Sequence, residues 1–470
     1  MLRRILVASA LLAVTFAIAS PAFAQDPTPT VPGPIYIVQP NEYLSTIADR
    51  FDIDINLLMV ANGISNPDLI SEGARLVIPG LEGVTGILDT EIVNFGDSFR
   101  SLVRRTQIEV DLLQRLNHIV SPTEFYVGAG MTIPKQEDQA YLTRRVTTAP
   151  GQSLLELALT GGTDTWTLAG LNGLAGSWDG LPGDSLYTAG PGSDEQLPTG
   201  LPPAFRSAEI PSLPLQQGST AEILVLPVDG VSLAGMLGDY PLHFFPVGDG
   251  RMVALQGIHA MLEPGVYPLQ LDATLSNGTV QSFQQLLVIS DAAFPKESLT
   301  VPAESIDPAI TAPEEEFVRG IVSSISDTKR WNGVLTLPVT EPFCVKDWFG
   351  TRRSFNLGDY NYFHAGLDYG LCYEVENLFD IYSAAPGVVA FSGPLNVRGN
   401  ATFIDHGWGI YTGYFHQEET YVTTGQEVDA GVLIGKIGGT GRVTGPHLHF
   451  EVWAGGVQVD PQPWLSQAYP

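Results

Sequence analysis

A period of 55 residues governs the first part of the chain. Shifted by that amount, the sequence lays Leu44 over Phe99 and Leu154, Asn62 over Asn117 and Asn172, and Gly73 over Gly128 and Gly183. Such a period marks an array of small units, each of which must close its own core. Each unit reads as a short strand, two small helices and a second strand. In the first these are Tyr36-Ile-Val38, Tyr43 to Phe51, Ile55 to Asn62 and Arg75 to Pro79, and the second unit closes on Met131-Thr-Ile-Pro134. The third departs from the pattern, with Tyr187-Thr-Ala189 in place of Ile-Pro and Gly- and Trp-rich residues in its middle. The repeated asparagines are expected to cap helices and shape turns.

The C-terminal region carries a different constraint. From Pro446 to Val452 the chain alternates as a half-buried strand does, with His447 and His449 on one face and Leu448, Phe450 and Val452 on the other. Adjacent imidazoles fill a core badly, because each ring has a polar edge that needs a partner. They suit a metal ion and proton transfer beside it. Upstream, His364-Ala-Gly-Leu-Asp368 sets an imidazole and a carboxylate four residues apart, with Gly366 allowing a tight turn between them. His416 adds a further ring, and five of the eight histidines, His406 among them, fall between His364 and His449. Two histidines and one carboxylate are a donor set suited to zinc, with a fourth position left for water. An Fe(II) oxygenase uses the same set, but it has no role for two more imidazoles.

The first residues read as an address. Met1-Leu-Arg-Arg, an apolar run from Ile5 to Ile18, and Ala22-Phe-Ala24 supply the charged, apolar and cleavage regions of a secretory signal peptide. The apolar run is shorter than the ~20 residues a spanning helix needs, so no membrane partner is expected after cleavage. A net charge of −28 argues against nucleic acid and anionic lipid as partners. The expected location is secreted or in the cell envelope. Both cysteines, Cys344 and Cys372, fall in the C-terminal region, where an exported chain can join them or leave them free.

Several ordered motifs in that region resemble a known family. Phe349-Gly-Thr-Arg-Arg353, His364 to Asp368, Ala384-Ala-Pro-Gly-Val-Val389, Ile404-Asp-His-Gly407, Gly425-Gln-Glu-Val428 and Gly445-Pro-His-Leu-His-Phe-Glu451 are similar to the lysostaphin-type, or LytM-like, zinc endopeptidases that cut peptidoglycan cross-bridges. The resemblance implies one zinc ion held by His364, Asp368 and His449, with His416 and His447 flanking it as catalytic residues. Asp405 and His406 have the family's place on a strand near the groove and are expected to be structural. Glu451 is expected to be a structural or outward-facing acid rather than one that orients a ligand. The repeats resemble LysM modules, which bind N-acetylglucosamine-containing glycans, through Asn62-Gly-Ile64, Asn117-His-Ile119 and Asn172-Gly-Leu174. The resemblance places sugar grooves at Asn41 to Leu44 with Gly63 to Asn66, and at Gly96 to Phe99 with His118 to Pro122. Together the two resemblances imply a zinc metallo-endopeptidase with peptidoglycan as substrate and partner. The alternative is a catalytically silent wall-binding protein or amidase activator, which would have lost ligands that are all present here.

The expected fold class is multidomain: α+β LysM repeats, a β-sandwich middle domain and a mainly antiparallel β catalytic domain. In order, these are a signal peptide at 1–24, a linker at 25–34, LysM units at 35–80 and 90–135, a divergent LysM-like unit at 144–190, a linker at 191–214, an immunoglobulin-like sandwich at 215–291, a linker and helix at 292–330, and the zinc peptidase domain at 331–466. The sandwich is read from alternating runs between the turns Gly248-Asp-Gly250 and Ser276-Asn-Gly278, with His243 and His259 as structural residues. The connecting helix is expected from a Thr311 cap to about Thr328.

Overall fold

A computed structural model of the chain describes residues 33–81, 83–135, 144–148, 151–176, 178–181, 184–188, 201–202, 204–370 and 379–470. The expected signal peptide and nearly all of the 25–34 linker lie outside the described residues, as does Cys372. Among the described residues no helix is long and apolar enough to cross a membrane.

The chain divides into two compact units, the first made of residues up to Asp89 together with Pro134–Glu137. In it, Ile35–Ile37 pairs antiparallel with Arg75–Val77 beneath the helices Leu44–Arg50 and Ile55–Asn62. Tyr36, Leu44, Ile47, Leu58, Leu76 and Ile78 form its small core. The Asn62 side chain donates to Leu58 O at 2.9 Å and Val77 O at 2.8 Å and accepts from Val77 N–H at 2.6 Å. It therefore acts as one extra strand residue, fastening the end of the second helix to the closing strand.

The second unit holds everything else. Here Asn117 repeats the same three bonds with Leu113 O, Thr132 O and Thr132 N–H, and Asn172 does so with Leu168 O, Tyr187 O and Tyr187 N–H. The 55-residue asparagine is thus an internal fastener in all three repeats rather than a turn former. The third repeat keeps the architecture despite its altered sequence, with strands Arg144–Thr147 and Ser185–Thr188 and helices Leu154–Thr160 and Thr165–Leu171. Arg104 of the second repeat is buried against the third, donating to Asn172 O at 3.2 Å and pairing with Asp184 at 3.3 Å.

Two antiparallel sheets form the sandwich. One runs Tyr240–Leu242, Ser232–Leu237, Gly265–Thr274 and Val280–Ser290, with Leu215–Gln216 added parallel at its edge. The other runs Phe245–Gly248, Arg251–Gly257, Thr220–Pro227 and Phe205–Glu209. The last of these comes from the stretch expected as a linker; its Pro and Gly neighbours mask a short strand whose Phe205 and Ala208 reach the core.

The C-terminal region is built on one large, mostly antiparallel sheet in the order Cys344–Asp347, Leu367–Gly370, Leu448–Ala454, Ile410–Thr420, Gly399–Gly407, Gly387–Leu395 and Glu427–Val428. The Arg251–Gly257 strand of the sandwich serves two cores by alternation. Ala254 faces the sandwich interior, while Val253 and Leu255 join Phe245, Trp331, Trp408 and Trp464 in the core under the large sheet. Phe245 stacks on Trp408 at 4.9 Å, and Trp464 Nε1–H donates to Thr220 Oγ1 at 3.0 Å.

The connecting helix spans Pro308–Val322, capped by Asp307, whose side chain accepts from Ala309 N–H at 2.9 Å. It begins three residues before the expected Thr311 cap because Pro308 fits the first turn, where its missing N–H costs nothing. Val318 and Val322 bury against Phe403, Phe415 and Trp453 on the large sheet. Ahead of it, Lys296–Leu299 adds as a parallel strand to Arg352–Phe355. Residues 296–322 are therefore a strap, paired at its start into a small separate sheet with Arg352–Phe355 and Tyr362–Phe363 and packed at its end on the large sheet.

His406 and Asp405 hold this sheet together. His406 is fully buried, with Nδ1–H donating to Pro386 O and Nε2 in hydrogen-bond contact with Thr412 Oγ1, both at 2.7 Å. Asp405 accepts from Gly407 N–H at 2.7 Å.

Because they share a core, the sandwich and the sheet region should unfold together. Phe245→Ala should cost about 3–5 kcal/mol and lower both within one calorimetric transition; two separated transitions would contradict this. Burial also lowers the His406 pKa from 6.5 to about 4. Between those values the unfolded chain takes up a proton that the folded ring refuses, so stability falls as pH drops through that window, by about 3 kcal/mol. Denaturant midpoints at pH 7 and pH 4 for the wild type and His406→Gln should show a shallower pH slope in the variant.

Candidate metal centre

The site begins with strand pairing. Leu367–Gly370 lies antiparallel to Leu448–Ala454 in a register that sets Asp368 directly opposite His449. Leu367 and Tyr369 on one strand, with Leu448, Phe450 and Val452 on the other, bury on the core side. Alternation then leaves Asp368, His449 and Glu451 on the opposite face. Gly366 is required at the approach, since a Cβ there would stand 2.2 Å from Phe450 O.

Each donor atom has a fixed direction. The Nδ1–H of His364 donates to Trp348 O at 2.9 Å, which turns its Nε2 inward to 3.0 Å from Asp368 Oδ1. His449 presents Nδ1 to Asp368 Oδ1 at 2.8 Å, while its Nε2–H donates to Glu451 Oε1 at 3.2 Å. Glu451 is buried, not outward-facing, and also accepts from Trp453 Nε1–H at 2.8 Å and Gln458 Nε2–H at 3.0 Å. An acid two residues beyond His449 shares its face, and that spacing was the available signal for an orienting role. The donor atoms of His364, Asp368 and His449 all lie within 4.8 Å of one another.

This donor set fits a small divalent cation. Two tetrahedral nitrogens about 2.0–2.1 Å from zinc stand about 3.3–3.4 Å apart. His364 Nε2 and His449 Nδ1 are 3.0 Å apart, so an adjustment of a few tenths of an ångström admits the ion. The closed, mutually bonded set is electrostatically tense. Burial would raise the Asp368 pKa, yet hydrogen bonds from His364 and His449 and their charge hold it well below the usual carboxylate range. Burial would likewise lower that of His449, but Asp368 and Glu451 raise it to about 9.

His447 and His416 complete the cluster. His447 sits just before its strand, bridged to Gly438, with Nδ1–H donating to Gly445 O at 2.8 Å and Nε2 lying 3.6 Å from Asp368 Oδ2. The Gly399–Gly407 and Ile410–Thr420 strands fall out of register between Asn400 and Thr402, so Ile410–Thr420 carries one extra residue there, and His416 adopts a left-handed φ of 61°. Such a bulge re-aims a side chain. The His416 backbone N–H donates to Arg398 O at 2.9 Å, and its ring Nδ1–H donates to Thr440 O at 2.8 Å. The His416 ring lies 5.0 Å from that of His447 and 6.1 Å from that of His449. Burial, then the charges of His449 and His447, lower the His416 pKa to about 3, so this ring is neutral at pH 7. The structure thus brings all five expected residues together. What sequence reasoning could not supply is the set of orienting carbonyls at Trp348, Thr440 and Gly445, because any residue type offers one.

Comparisons with known proteins find matches for two parts of the chain. Residues 362–461 match the model of peptidase family M23, and residues 36–79 and 92–134 match the LysM domain. The chain is similar to the peptidoglycan DD-endopeptidase ShyC of Vibrio cholerae, 43% identical over 82 residues, or 17% of this chain and 19% of that protein. It is 38% identical over 111 residues to the DD-carboxypeptidase/endopeptidase Mpg of Neisseria meningitidis, covering 22% of this chain and 25% of that one. The aligned segments thus span about a fifth to a quarter of these relatives' own length. Among solved structures, a putative peptidase M23 from Pseudomonas aeruginosa aligns at 22% identity with a TM-score of 0.40, over 55% of this chain and 97% of that one. The chain therefore carries a peptidase family M23 domain, with two LysM domains ahead of it.

Proposed function

We propose that the protein is an exported zinc metallo-endopeptidase that hydrolyses peptide cross-links or stems of peptidoglycan and is tethered to the glycan by its LysM repeats. The observation that carries this reading is the convergence of three donor side chains with two further imidazoles beside them. In this reading His364 Nε2, Asp368 Oδ1 and His449 Nδ1 hold one zinc ion, and Glu451 fixes the tautomer of His449. Zinc bound there would lower the pKa of a water toward ~7 and polarise the scissile carbonyl. The chain's own contribution is proton handling. With Nδ1–H of both His416 and His447 committed to carbonyls, each ring keeps its Nε2 for proton exchange at the cluster. One receives the proton of the attacking water. The other, once protonated, steadies the developing oxyanion or passes a proton to the leaving amine.

The repeats supply the second half of the reading. Three weak glycan-binding units, the third divergent in sequence, would raise the local concentration of substrate around a modest catalyst. Their asparagines face inward as fasteners, which leaves Asn41 to Leu44 and Gly63 to Asn66 of the first repeat to line a groove. In the second repeat the loop before the first helix is instead held by Gln285 of the sandwich, which accepts from Gly96 N–H at 2.9 Å and donates to Asn94 O at 3.1 Å and Asp97 O at 3.2 Å. Such a substrate places the protein in the cell envelope or outside the cell.

Incubation with peptidoglycan sacculi, followed by mass analysis of released fragments, tests the reading; equal release by wild type and His449→Ala would defeat it. His416→Ala and His447→Ala should each keep the metal and lose about 10²–10⁴ in kcat, read by turnover together with zinc content. Glu451→Gln should weaken zinc binding about 10–100-fold, measured by chelator competition, and a chelator should abolish cleavage until zinc is restored.

A further inference from the structure

The loop from Gly439 to Gly445 leads into His447, and its Thr440 carbonyl orients His416. Between them stands Arg442. Its backbone N–H donates to Val397 O at 2.9 Å, and its Nη1–H donates to Ser305 O, on the strap, at 3.0 Å. The guanidinium lies 5.3 Å from the centre of the Phe355 ring, which packs at 4.8 Å against Tyr362, two residues before His364. Arg442 therefore reaches from the wall that carries His416 and His447 across to the wall that carries His364.

Its charge is not met by a carboxylate in contact. Two neighbouring arginines are matched with acids: Arg353 with Glu297 at 2.6 Å and with Asp347, and Arg398 with Glu314 at 3.0 Å. Among the described residues Arg442 pairs with no carboxylate. Burial, then the like charges of Arg353 and Arg398, lower its pKa. Glu314, already bonded to Arg398, acts on Arg442 only without contact. A half-buried cation with no carboxylate in contact is costly, and a chain with 51 acids to 23 bases has no shortage of partners to offer. The aromatic face of Phe355 holds the guanidinium in place, and among the described residues one bond to Ser305 leaves most of its five N–H donors unused. A rigid fork of this kind matches a carboxylate in two-point contact.

We propose that Arg442 anchors a carboxylate of the peptide stem and so selects which stem is presented to the metal centre. The inference rests on the peptidoglycan reading above and adds the group by which the substrate is recognised. Peptide stems offer this chemistry from three sources: the α-carboxylate of a γ-linked glutamate, the side carboxylate of a diamino acid, and a free C-terminus.

The test uses purified cross-linked muropeptide dimers in which each of these carboxylates is amidated in turn, cleaved by the full chain as wild type, Arg442→Gln and Arg442→Lys. Amidating the recognised carboxylate should raise the wild-type KM about 10–100-fold with kcat changed by less than about threefold. Arg442→Gln should raise KM on the unmodified dimer by the same factor and show no further response to that amidation. Arg442→Lys should fall between, since it keeps the charge and loses the fork. Wild-type indifference to all three amidations, or an Arg442→Gln penalty that is equal on every dimer, would overturn the proposal while leaving the peptidase reading intact. Failure of the wild type to cut any dimer would remove both.

Discussion

The candidate centre depends on one cross-strand pair, Asp368 opposite His449. Bringing a carboxylate and an imidazole to 2.8 Å in a buried place costs desolvation of both, and side-chain attraction alone would not meet that cost. The sheet meets it. Five apolar side chains on the other face of the same two strands are locked in the core, and a slip of one residue would expose all of them. Register, set by hydrophobic burial, therefore fixes the donors before any ion is present. The other donor is held in the same spirit: His364 is clamped by backbone bonds on both sides, from Gly350 N–H to its carbonyl at 2.8 Å and from its own N–H to Thr351 O at 2.9 Å.

That clamp is itself backed from outside the sheet. Phe349, beside Gly350, packs on Phe294 at 5.9 Å and on Phe363 at 5.8 Å, and Phe363 meets His259 of the sandwich at 5.2 Å. His259, expected to be structural, is thus structural for the metal-facing segment and not only for its own domain. The sandwich acts as a foundation for the site.

Much of this could be read from residue order because the informative positions obey short-range geometry. The alternation from His447 to Glu451 put two imidazoles on one face, and the four-residue step from His364 to Asp368 spans a single tight approach enforced by Gly366. The spacing of Asn62, Asn117 and Asn172 announced an array, although the reason for it emerged only from the pairing with the closing strands. Long-range events were not readable. The His416 bulge depends on a mismatch between two strands, and the joint core depends on which face of Arg251–Gly257 meets Trp408. Phe205–Glu209 was concealed by its prolines and glycines, and the helix start by Pro308, which can open a helix or break one according to the residues around it. The cysteine pairing stands between these cases: Cys344 is disulfide-bonded, while Cys372 lies outside the described residues.

The strap over residues 296–322 has a consequence for maturation. It begins as a strand paired to Arg352–Phe355, crosses to Arg442 through Ser305, and ends as a helix whose Glu314 accepts from Val397 N–H at 2.7 Å and from Arg398 N–H at 3.1 Å. A protease that nicked this segment would sever the covalent link and leave the two fragments clasped, much as a cut thread stays in a woven cloth. Release of a free C-terminal fragment would require unpicking the fabric, not trimming a tether.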